Sequence, residues 1–473
     1  MKKCMIVSAA AWALLAGASL VSANEDHKSI TGPFATPMDV TKKCLECHED
    51  AAKEVMGTSH WTWELEQEID GKMVKRGKRN VLNNFCISIK SNWERCTSCH
   101  VGYGWKDASF DFSDESRVDC LVCHDTSGEY KKAAGAPAGA GMPPGYTGKK
   151  KYDKNPVDLV KVAQNVGTPQ RDDCLACHAN GGGGNNVKHG DIDMSLLNPD
   201  KDIDIHMAVE GNNFSCQECH QTSEHKIAGN SLIVSPMGTT PVNCENCHDG
   251  EHKSGIINKH TASVACQTCH IPTFAKKYAT KMSWDWSKAE QGKAVEKDED
   301  GHKVYIPKKG RFTYEQNVTP EYRWYNGTAG VYQLGDKIDP SQVTKLNYPL
   351  GDINDKNAKI MPFKVHTGKQ IYDAKNNYLI TPKVFGFKGD PEAFWVNFDW
   401  DKAAEAGMRA SGLEYSGEYG FTATETYWSI NHMVTAKSDA LKCNDCHGSE
   451  GRLDWQALGY KGDPRKVKGA ARK

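Results

Sequence analysis

The pattern Cys-x-x-Cys-His occurs eight times in this chain, and it limits the possible folds more than any other feature of the sequence. Such a pattern attaches a c-type haem, because both thiols bond to the porphyrin and the histidine ligates its iron. A zinc site or a redox disulfide would explain one copy, but not eight copies that all end in histidine. The sequence therefore predicts eight covalently attached c-type haems. The predicted attachment residues are Cys44, Cys47 and His48; Cys96, Cys99 and His100; Cys120, Cys123 and His124; Cys174, Cys177 and His178; Cys216, Cys219 and His220; Cys244, Cys247 and His248; Cys266, Cys269 and His270; and Cys443, Cys446 and His447.

The composition favours a core that is built largely from haem. Only 38% of the 473 residues are hydrophobic, and seven of the eight motifs fall between residues 44 and 270. The chain therefore has little apolar surface to bury and little room for long regular elements. We expect the fold of a multihaem cytochrome c, with mainly short α-helices and irregular loops around a haem core and few short strands. The aromatic-rich residues 271–442 should wrap this core, with a helix around 423–447.

The beginning of the chain indicates export. Residues 1–23 start with a basic segment, continue with an apolar run and end in small residues, which is typical of a secretory signal peptide. We therefore expect a periplasmic protein, and no later apolar run approaches the roughly 20 residues of a membrane span. Because 59 Lys and Arg residues balance 60 Asp and Glu residues, nucleic acid is not an expected partner. The expected regions are 24–170 with haems 1 to 3, 171–275 with four electron-transfer haems, and 276–473 with the wrapping segment and haem 8.

The second axial ligand of each iron decides what its haem can do. A haem with two histidine ligands only transfers electrons, whereas a haem with an open coordination position can bind a substrate. Ten histidines lie outside the motifs, and we expect His27 and His302 to be solvated side chains. The remaining eight equal the haems in number, so the count leaves open whether every iron is closed. These candidate distal ligands are His60, His189, His206, His225, His252, His260, His366 and His432.

Six longer stretches carry more information than the motifs alone. They are WERCTSCHVGYGW (93–105), DCLVCHDTSGEYKK (119–132), VAQNVGTPQRDDCLACH (162–178), GGGGNNVKHGDIDMSL (181–196), ACQTCHIP (265–272) and INHMVTAKSDALKCNDCH (430–447). Their order and spacing resemble the octahaem tetrathionate reductases, which are related to hydroxylamine oxidoreductases and multihaem nitrite reductases. The resemblance implies a periplasmic enzyme that reduces tetrathionate to thiosulfate with two electrons, and that also reduces nitrite and hydroxylamine. A periplasmic or quinol-linked donor would supply the electrons.

The resemblance also implies an unusual ligand at the second haem, which Cys96 and Cys99 attach. In this family a lysine is the proximal ligand of that iron and the distal face is open, so His100 would not bind iron. We assign the lysine to Lys132, which lies 32 residues after His100. Lysine must lose its proton before it ligates a metal, so ligation and deprotonation are coupled. Other lysines near this position remain candidates: Lys131, Lys149, Lys150, Lys151, Lys154 and Lys161.

Cys86 is the one cysteine after residue 23 that no haem motif uses. This thiol lies ten residues before the second motif. It either faces the reaction site, where it would contact sulfur substrates, or is an inert buried thiol. Two other functions also stay open from the sequence. The physiological substrates could be nitrite or hydroxylamine, or the chain could be a pure electron-transfer protein with every iron closed.

Overall fold

A computed structural model describes residues 27–69, 71–85, 87–132, 141–143, 145–146, 155–232 and 240–467 of the chain. The expected signal peptide at 1–23 lies outside these residues. Five of the candidate site residues also lie outside them, namely Cys86, Lys149, Lys150, Lys151 and Lys154. Across the described ranges, no helix is both long enough and apolar enough to cross a membrane.

The haem-motif part of the chain folds into short helices that are joined by loops, as the sequence predicts. Each motif needs only about one helical turn to bring its cysteines and its histidine to the same haem. Longer helices would therefore gain little here. The α-helices within the described residues are α1 (Pro37–Leu45), α2 (Ala51–Met56), α3 (Ser59–Thr62), α4 (Trp93–Cys96), α5 (Leu121–His124), α6 (Leu159–Ala163), α7 (Arg171–His178), α8 (Gly255–His260), α9 (Cys266–His270), α10 (Phe394–Asn397), α11 (Trp400–Ser411) and α12 (Cys443–Cys446). Short 3-10 turns carry Thr97–Cys99, Cys216–Glu218 and Cys244–Asn246.

Residues 280–429 contribute a ten-stranded sheet. The strands in the described part of the chain are β1 (Leu65–Ile69), β2 (Lys72–Arg76), β3 (Thr222–Ser223), β4 (Lys226–Ile227), β5 (Thr280–Asp285), β6 (Glu296–Lys297), β7 (Lys303–Ile306), β8 (Gly310–Glu315), β9 (Glu321–Tyr325), β10 (Ala329–Val331), β11 (Thr344–Pro349), β12 (Lys359–Asp373), β13 (Tyr378–Leu379) and β14 (Tyr419–Ser429). Their order is β10-β11-β14-β12-β5-β8-β7-β6, and β9 and β13 also pair with β12. The central pair, β12 and β14, is antiparallel from Phe363 opposite Ser429 to Asp373 opposite Tyr419. Two separate hairpins, β1–β2 and β3–β4, lie outside this sheet.

The prediction of few short strands is therefore wrong, and so is the helix expected around 423–447. β12 alone has 15 residues, and β14 occupies the first part of the expected helix. The stretch TATETYW (422–428) is rich in β-branched and aromatic residues, and positions 422–426 alternate between buried and less buried, which favours a strand. Because residues 271–442 attach no haem, this segment has to bury its aromatic side chains against its own backbone. A sheet does this without a cofactor.

The largest apolar core packs α11 against the sheet. The carboxylate of Asp399 caps the start of α11 by accepting the N–H of Lys402 at 3.1 Å, and the helix ends before Gly412, whose φ of 74° suits glycine. Gly407 lets the helix approach closely, because a Cβ there would lie 1.7 Å from the carbonyl oxygen of Thr381. The large side chains of this core include Trp284, Trp286, Phe312, Phe394 and Trp400.

The central strand β12 also supports two loops of the haem-motif part. The side chain of Asn84 donates to the carbonyl of His366 on β12 at 2.8 Å. The buried amine of Lys364 donates to the carbonyls of Val187 and Lys188, both at 3.0 Å. Strand β12 therefore holds two loops in place, one at residue 84 and one at residues 187–188. In the sequence, these loops lie near the second and the fourth haem motif.

Candidate haem sites and reaction site

The second haem motif has a different backbone from the others. In five motifs the N–H of the histidine donates to the carbonyl of the first cysteine, four residues earlier, at 2.8–3.1 Å. These histidines are His48, His124, His220, His248 and His447. In the second motif, the N–H of His100 donates instead to the carbonyl of Thr97 at 2.9 Å. His100 therefore lacks the helical hydrogen bond that these five motif histidines make.

Six motif histidines each face one other histidine ring at nearly the same distance. Two imidazoles that bind one iron from opposite sides, with metal–nitrogen bonds of about 2 Å each, have ring centres about 6 Å apart. The observed separations fit this value, so these pairs can hold the irons of six haems. The pairs are His27 with His48 at 6.0 Å, His60 with His178 at 6.1 Å, His124 with His225 at 6.3 Å, His206 with His248 at 6.1 Å, His220 with His432 at 6.2 Å, and His260 with His447 at 6.0 Å.

Three histidines outside the motifs differ in their surroundings. His27, which the sequence analysis assigned to solvent, lies half-buried with its ring stacked against His48 at an interplanar angle of 22°. Burial lowers the pKa of His270, and the charge of His252 lowers it further. His302, by contrast, lies beside Asp298 at 3.1 Å, in the hairpin of β6 and β7.

Hydrogen bonds hold the paired histidines in the orientation that an iron ligand needs. When Nδ1–H donates to an oxygen, Nε2 keeps a free lone pair for a metal. Six of the paired rings place Nδ1 at 2.7–3.0 Å from a carbonyl or carboxylate oxygen. These contacts are His124 to Gly167, His220 to Ala228, His225 to Glu54, His260 to Ile256, His432 to Asp191, and His447 to Asp463.

His100 has the opposite arrangement. Its Nδ1 accepts the N–H of Gly102 at 3.1 Å, so its Nε2 carries the proton and donates to the carbonyl of Trp61 at 2.7 Å. The side chain is completely buried, and burial lowers its pKa to about 3. Aromatic rings enclose it, namely Trp61, Trp63, Trp105, Phe110 and Phe112. Neither ring nitrogen of His100 is therefore available to an iron.

Lys132 lies at the backbone of the same motif. Its buried amine donates to the carbonyl of His100 and, at 2.9 Å, to the carbonyl of Gly102. The amine also forms an ion pair with the buried carboxylate of Asp119 at 3.1 Å. The amine that the sequence analysis selected is thus held beside the one motif whose histidine is blocked.

The other candidate lysines in the described residues lie elsewhere. Lys131 is exposed although it is the immediate neighbour of Lys132. Lys161 is also exposed and forms an ion pair with Glu129 on the surface. Neither side chain is buried beside the second haem motif, so Lys132 is the candidate that the geometry favours within the described residues.

Two predicted distal ligands have no motif histidine opposite them among the described residues. His189 is half-buried and meets the ring of Trp428 at 5.0 Å. His366 is completely buried, packs on Phe85 at 4.6 Å, and has no hydrogen-bond partner on either ring nitrogen in the described part of the chain. The structure therefore does not join these two residues to a motif histidine as it does for the six pairs.

Two lysines that the sequence analysis did not select lie near the second motif. The amine of Lys78 sits 4.3 Å from the ring centre of Trp63, and the amine of Lys188 sits 4.7 Å from that of Trp428. Both amines act electrostatically on Cys99, which attaches the second haem. Within the described residues, no carboxylate lies within ion-pair distance of either amine. A lysine in a polar stretch carries no special signal, so only the fold brings these two charges together.

Three cytochrome c family models match different parts of the chain. The family described as cytochrome c554 and c-prime matches residues 43–125, the family of cytochrome c7 and related cytochrome c matches 200–290, and the bacterial cytochrome c family matches 281–450. All of the haem motifs except the one at 174–178 fall wholly within these ranges.

A solved structure is similar over almost the whole chain. The octahaem cytochrome c from Shewanella oneidensis is 55% identical, and the match covers 94% of this chain and 99% of that chain with a TM-score of 0.87. A protein from Archaeoglobus fulgidus, described only as uncharacterized, is 26% identical over 235 residues, which is 42% of this chain and 78% of that protein. With the motif geometry above, these matches confirm the prediction of several covalently bound c-type haems.

Proposed function

The chain belongs to the octahaem cytochromes c, and we propose that it is a reductase whose reaction site is the haem attached by Cys96 and Cys99. In this proposal Lys132 would hold that iron as proximal ligand in place of His100, and the haem would offer its other coordination position to a substrate. The other seven irons each take two histidines and only exchange electrons. The reaction is the two-electron reduction of tetrathionate to thiosulfate, together with reduction of nitrite and hydroxylamine.

One observation carries this proposal. Both ring nitrogens of His100 form hydrogen bonds with backbone groups, at 2.7 Å and 3.1 Å. The amine of Lys132 donates a hydrogen bond to the backbone carbonyl of the same histidine. A motif that lacks its usual ligand needs a replacement to hold iron, and a neutral amine is a suitable nitrogen donor. This arrangement occurs beside only one of the haem motifs in the described residues, which supports one special haem among several electron carriers.

The charges near Cys99 support an anionic substrate. Lys78 and Lys188 both act on this position and have no carboxylate partner among the described residues. A cleft with unpaired positive charge attracts anions and raises their local concentration. Tetrathionate is a dianion and nitrite is a monoanion, so both would be drawn to this position, and the dianion more strongly.

The haem supplies electrons and an iron coordination position when it is bound, and the protein must supply the remaining chemistry. Tetrathionate needs only two electrons, which break its central S–S bond and leave two thiosulfate ions, so no proton donor is required. Nitrite and hydroxylamine also need protons. Burial and the charge of Lys78 lower the pKa of Lys188 to about 7, so this amine can hold or release a proton near neutral pH.

Location and electron supply complete the proposal. The segment 1–23 has the sequence pattern of a secretory signal peptide, which indicates export. The exported chain would then present the motif cysteines to which the haems are attached. We propose a periplasmic protein that receives electrons from a periplasmic or quinol-linked donor. Purified periplasmic protein should therefore begin near Asn24 and carry eight covalent haems by mass spectrometry.

Spectroscopy of the oxidised protein tests the reaction site directly. Electron paramagnetic resonance and near-infrared magnetic circular dichroism should show one haem that is high-spin or readily exchanges a ligand, beside low-spin haems with two histidines. Eight low-spin haems with two histidines each would instead identify an electron-transfer protein. Steady-state kcat/KM values for tetrathionate, nitrite and hydroxylamine then decide whether a sulfur or a nitrogen compound is the better substrate.

A further inference from the structure

We propose that Asp119, held by the hydroxyls of Tyr103 and Tyr130, is the positioning group that fixes the amine of Lys132 for iron ligation at the second haem. This inference rests on the proposed role of Lys132 as proximal ligand. It concerns residues that no haem motif contains, and it names the groups that make a lysine usable at this site.

The contacts of Asp119 form a closed and buried cluster. One carboxylate oxygen, Oδ1, accepts the hydroxyl of Tyr103 at 2.8 Å, and the other, Oδ2, accepts the hydroxyl of Tyr130 at 3.1 Å. Oδ2 also lies 3.1 Å from the amine of Lys132. All four side chains are buried, so water does not compete for these bonds. The cluster therefore defines one position for the amine.

The cluster also ties the second motif to the third. The N–H of Asp119 donates to the carbonyl of Val101 at 2.7 Å, next to the two carbonyls that accept from Lys132. Its Oδ1 accepts the N–H of Val122 inside the CLVCH motif at 3.1 Å. Asp119 thus lies between the chain that attaches the second haem and the helix that attaches the third. A displacement of this residue would move the lysine relative to both haems.

The chemistry of a lysine ligand explains why a carboxylate is needed here. A neutral amine that ligates iron keeps two N–H groups and offers one lone pair. Of the three oxygens around the Lys132 amine, only two can therefore keep a hydrogen bond when it ligates, and these two set the direction of the lone pair. An anionic acceptor strengthens such a bond and makes the nitrogen a better donor to the metal. Both tyrosine hydroxyls donate to this carboxylate and hold it in place beside the amine.

The main test is Asp119→Asn in the fully haem-loaded protein. The amide oxygen can still accept the N–H of Val122, so we expect eight haems and an unchanged third haem. The signal of the single lysine-ligated haem should shift or split in electron paramagnetic resonance and magnetic circular dichroism. Loss of an outer partner of a metal ligand typically lowers activity about 10- to 100-fold, and we expect a fall of this size in kcat for tetrathionate.

Matched variants separate positioning from general damage. Tyr130→Phe removes one donor from the same carboxylate and should give a smaller shift of the same signal. Tyr146→Phe serves as the tyrosine control, because its hydroxyl donates to the carbonyl of Val157 instead. Asp193→Asn serves as the aspartate control, because this carboxylate is fully buried and accepts the N–H of Ser195 at 2.7 Å. Neither control should change the signal of the special haem.

The outcomes distinguish this inference from the proposed function. If the unmodified protein shows no lysine-ligated haem, the proposed function fails and this inference fails with it. If the unmodified protein shows that haem, and Asp119→Asn keeps both its signal and its kcat, the proposed function stands and the role of Asp119 is wrong. If Asp119→Asn loses haem, Tyr130→Phe and Tyr103→Phe decide, and an unchanged signal in both variants would overturn the inference.

Discussion

The second and the last haem motifs share the same five-residue pattern, but the hydrogen bonds of their two histidine rings differ. His447 stacks on Trp455 at 5.1 Å, directs Nδ1 to Asp463 at 2.7 Å, and faces His260 at 6.0 Å. His100 is also surrounded by tryptophans, yet both of its ring nitrogens bind backbone groups. The same motif thus occurs with a histidine whose Nε2 is free for a metal and with one whose two ring nitrogens both bind backbone groups.

The segment after His100 makes this difference possible. Gly102 packs so closely on His100 that a Cβ would lie 2.8 Å from the imidazole Cε1 and 2.7 Å from the ring of Trp61. A larger residue would push the imidazole out of its enclosure. In the last motif, by contrast, the N–H of His447 donates to the carbonyl of Cys443 at 2.9 Å, as in a helical turn. We therefore propose that the glycine two residues after the motif helps to keep His100 in the position where both of its ring nitrogens bind backbone groups.

Among the substitutions, removal of the Lys132 amine should have the largest effect on activity and on the haem spectrum. We expect Lys132→Ala to abolish tetrathionate reduction and to change the spectrum of one haem, because the second iron loses the ligand that replaces His100. Activity assays and magnetic circular dichroism measure both effects. Lys131→Ala is the matched control, since this neighbouring lysine is exposed. Normal activity of Lys132→Ala with eight haems would mean that another group holds this iron.

Substitution of His27 should have a smaller effect, confined to the first haem. Its ring faces His48 at 6.0 Å, so His27→Ala should convert one low-spin haem into a haem with an open or water-filled position. Reduction should slow but persist, because the reaction site keeps its own ligand. Electron paramagnetic resonance detects the change, and His302→Ala should leave the spectrum as it is. Seven unchanged low-spin signals in His27→Ala would contradict the pairing.

The sequence predicted those parts of the molecule that depend on local covalent chemistry. The cysteines and histidines of each motif are adjacent, so haem attachment could be read directly. The fold selects the histidine that faces each of the six paired motif histidines, as with His60 and His178, and the spacing in the sequence does not encode it. His27 was missed for this reason. The local sequence of β14 favours a strand, but its pairing with β12 depends on a segment about 50 residues earlier in the chain, and no local pattern encodes that pairing.

The role of His100 can be separated from that of Lys132 by its effect on stability. His100→Ala should leave all eight irons with their ligands, whereas His447→Ala should remove one low-spin signal with two histidines. The fully buried imidazole fills space between aromatic rings, so its loss should lower the free energy of unfolding by about 2–4 kcal/mol. Chemical denaturation and spectroscopy of the same samples measure both. Disappearance of a low-spin signal in His100→Ala would show that this histidine is an ordinary ligand.

The smallest expected effect concerns the thiol of Cys86, whose neighbours Phe85 and Ile87 are both buried. The sequence leaves this thiol two roles, contact with sulfur substrates or inert packing, and a thiol that contacts a sulfur substrate can hold a sulfane sulfur. Nitrite lacks such an atom, so Cys86→Ser should lower the rate with tetrathionate more than the rate with nitrite. The ratio of the two rates, measured on protein with full haem content, is the informative quantity. A thiol that only fills space would act through stability and lower both rates together, so an unchanged ratio would remove Cys86 from the reaction.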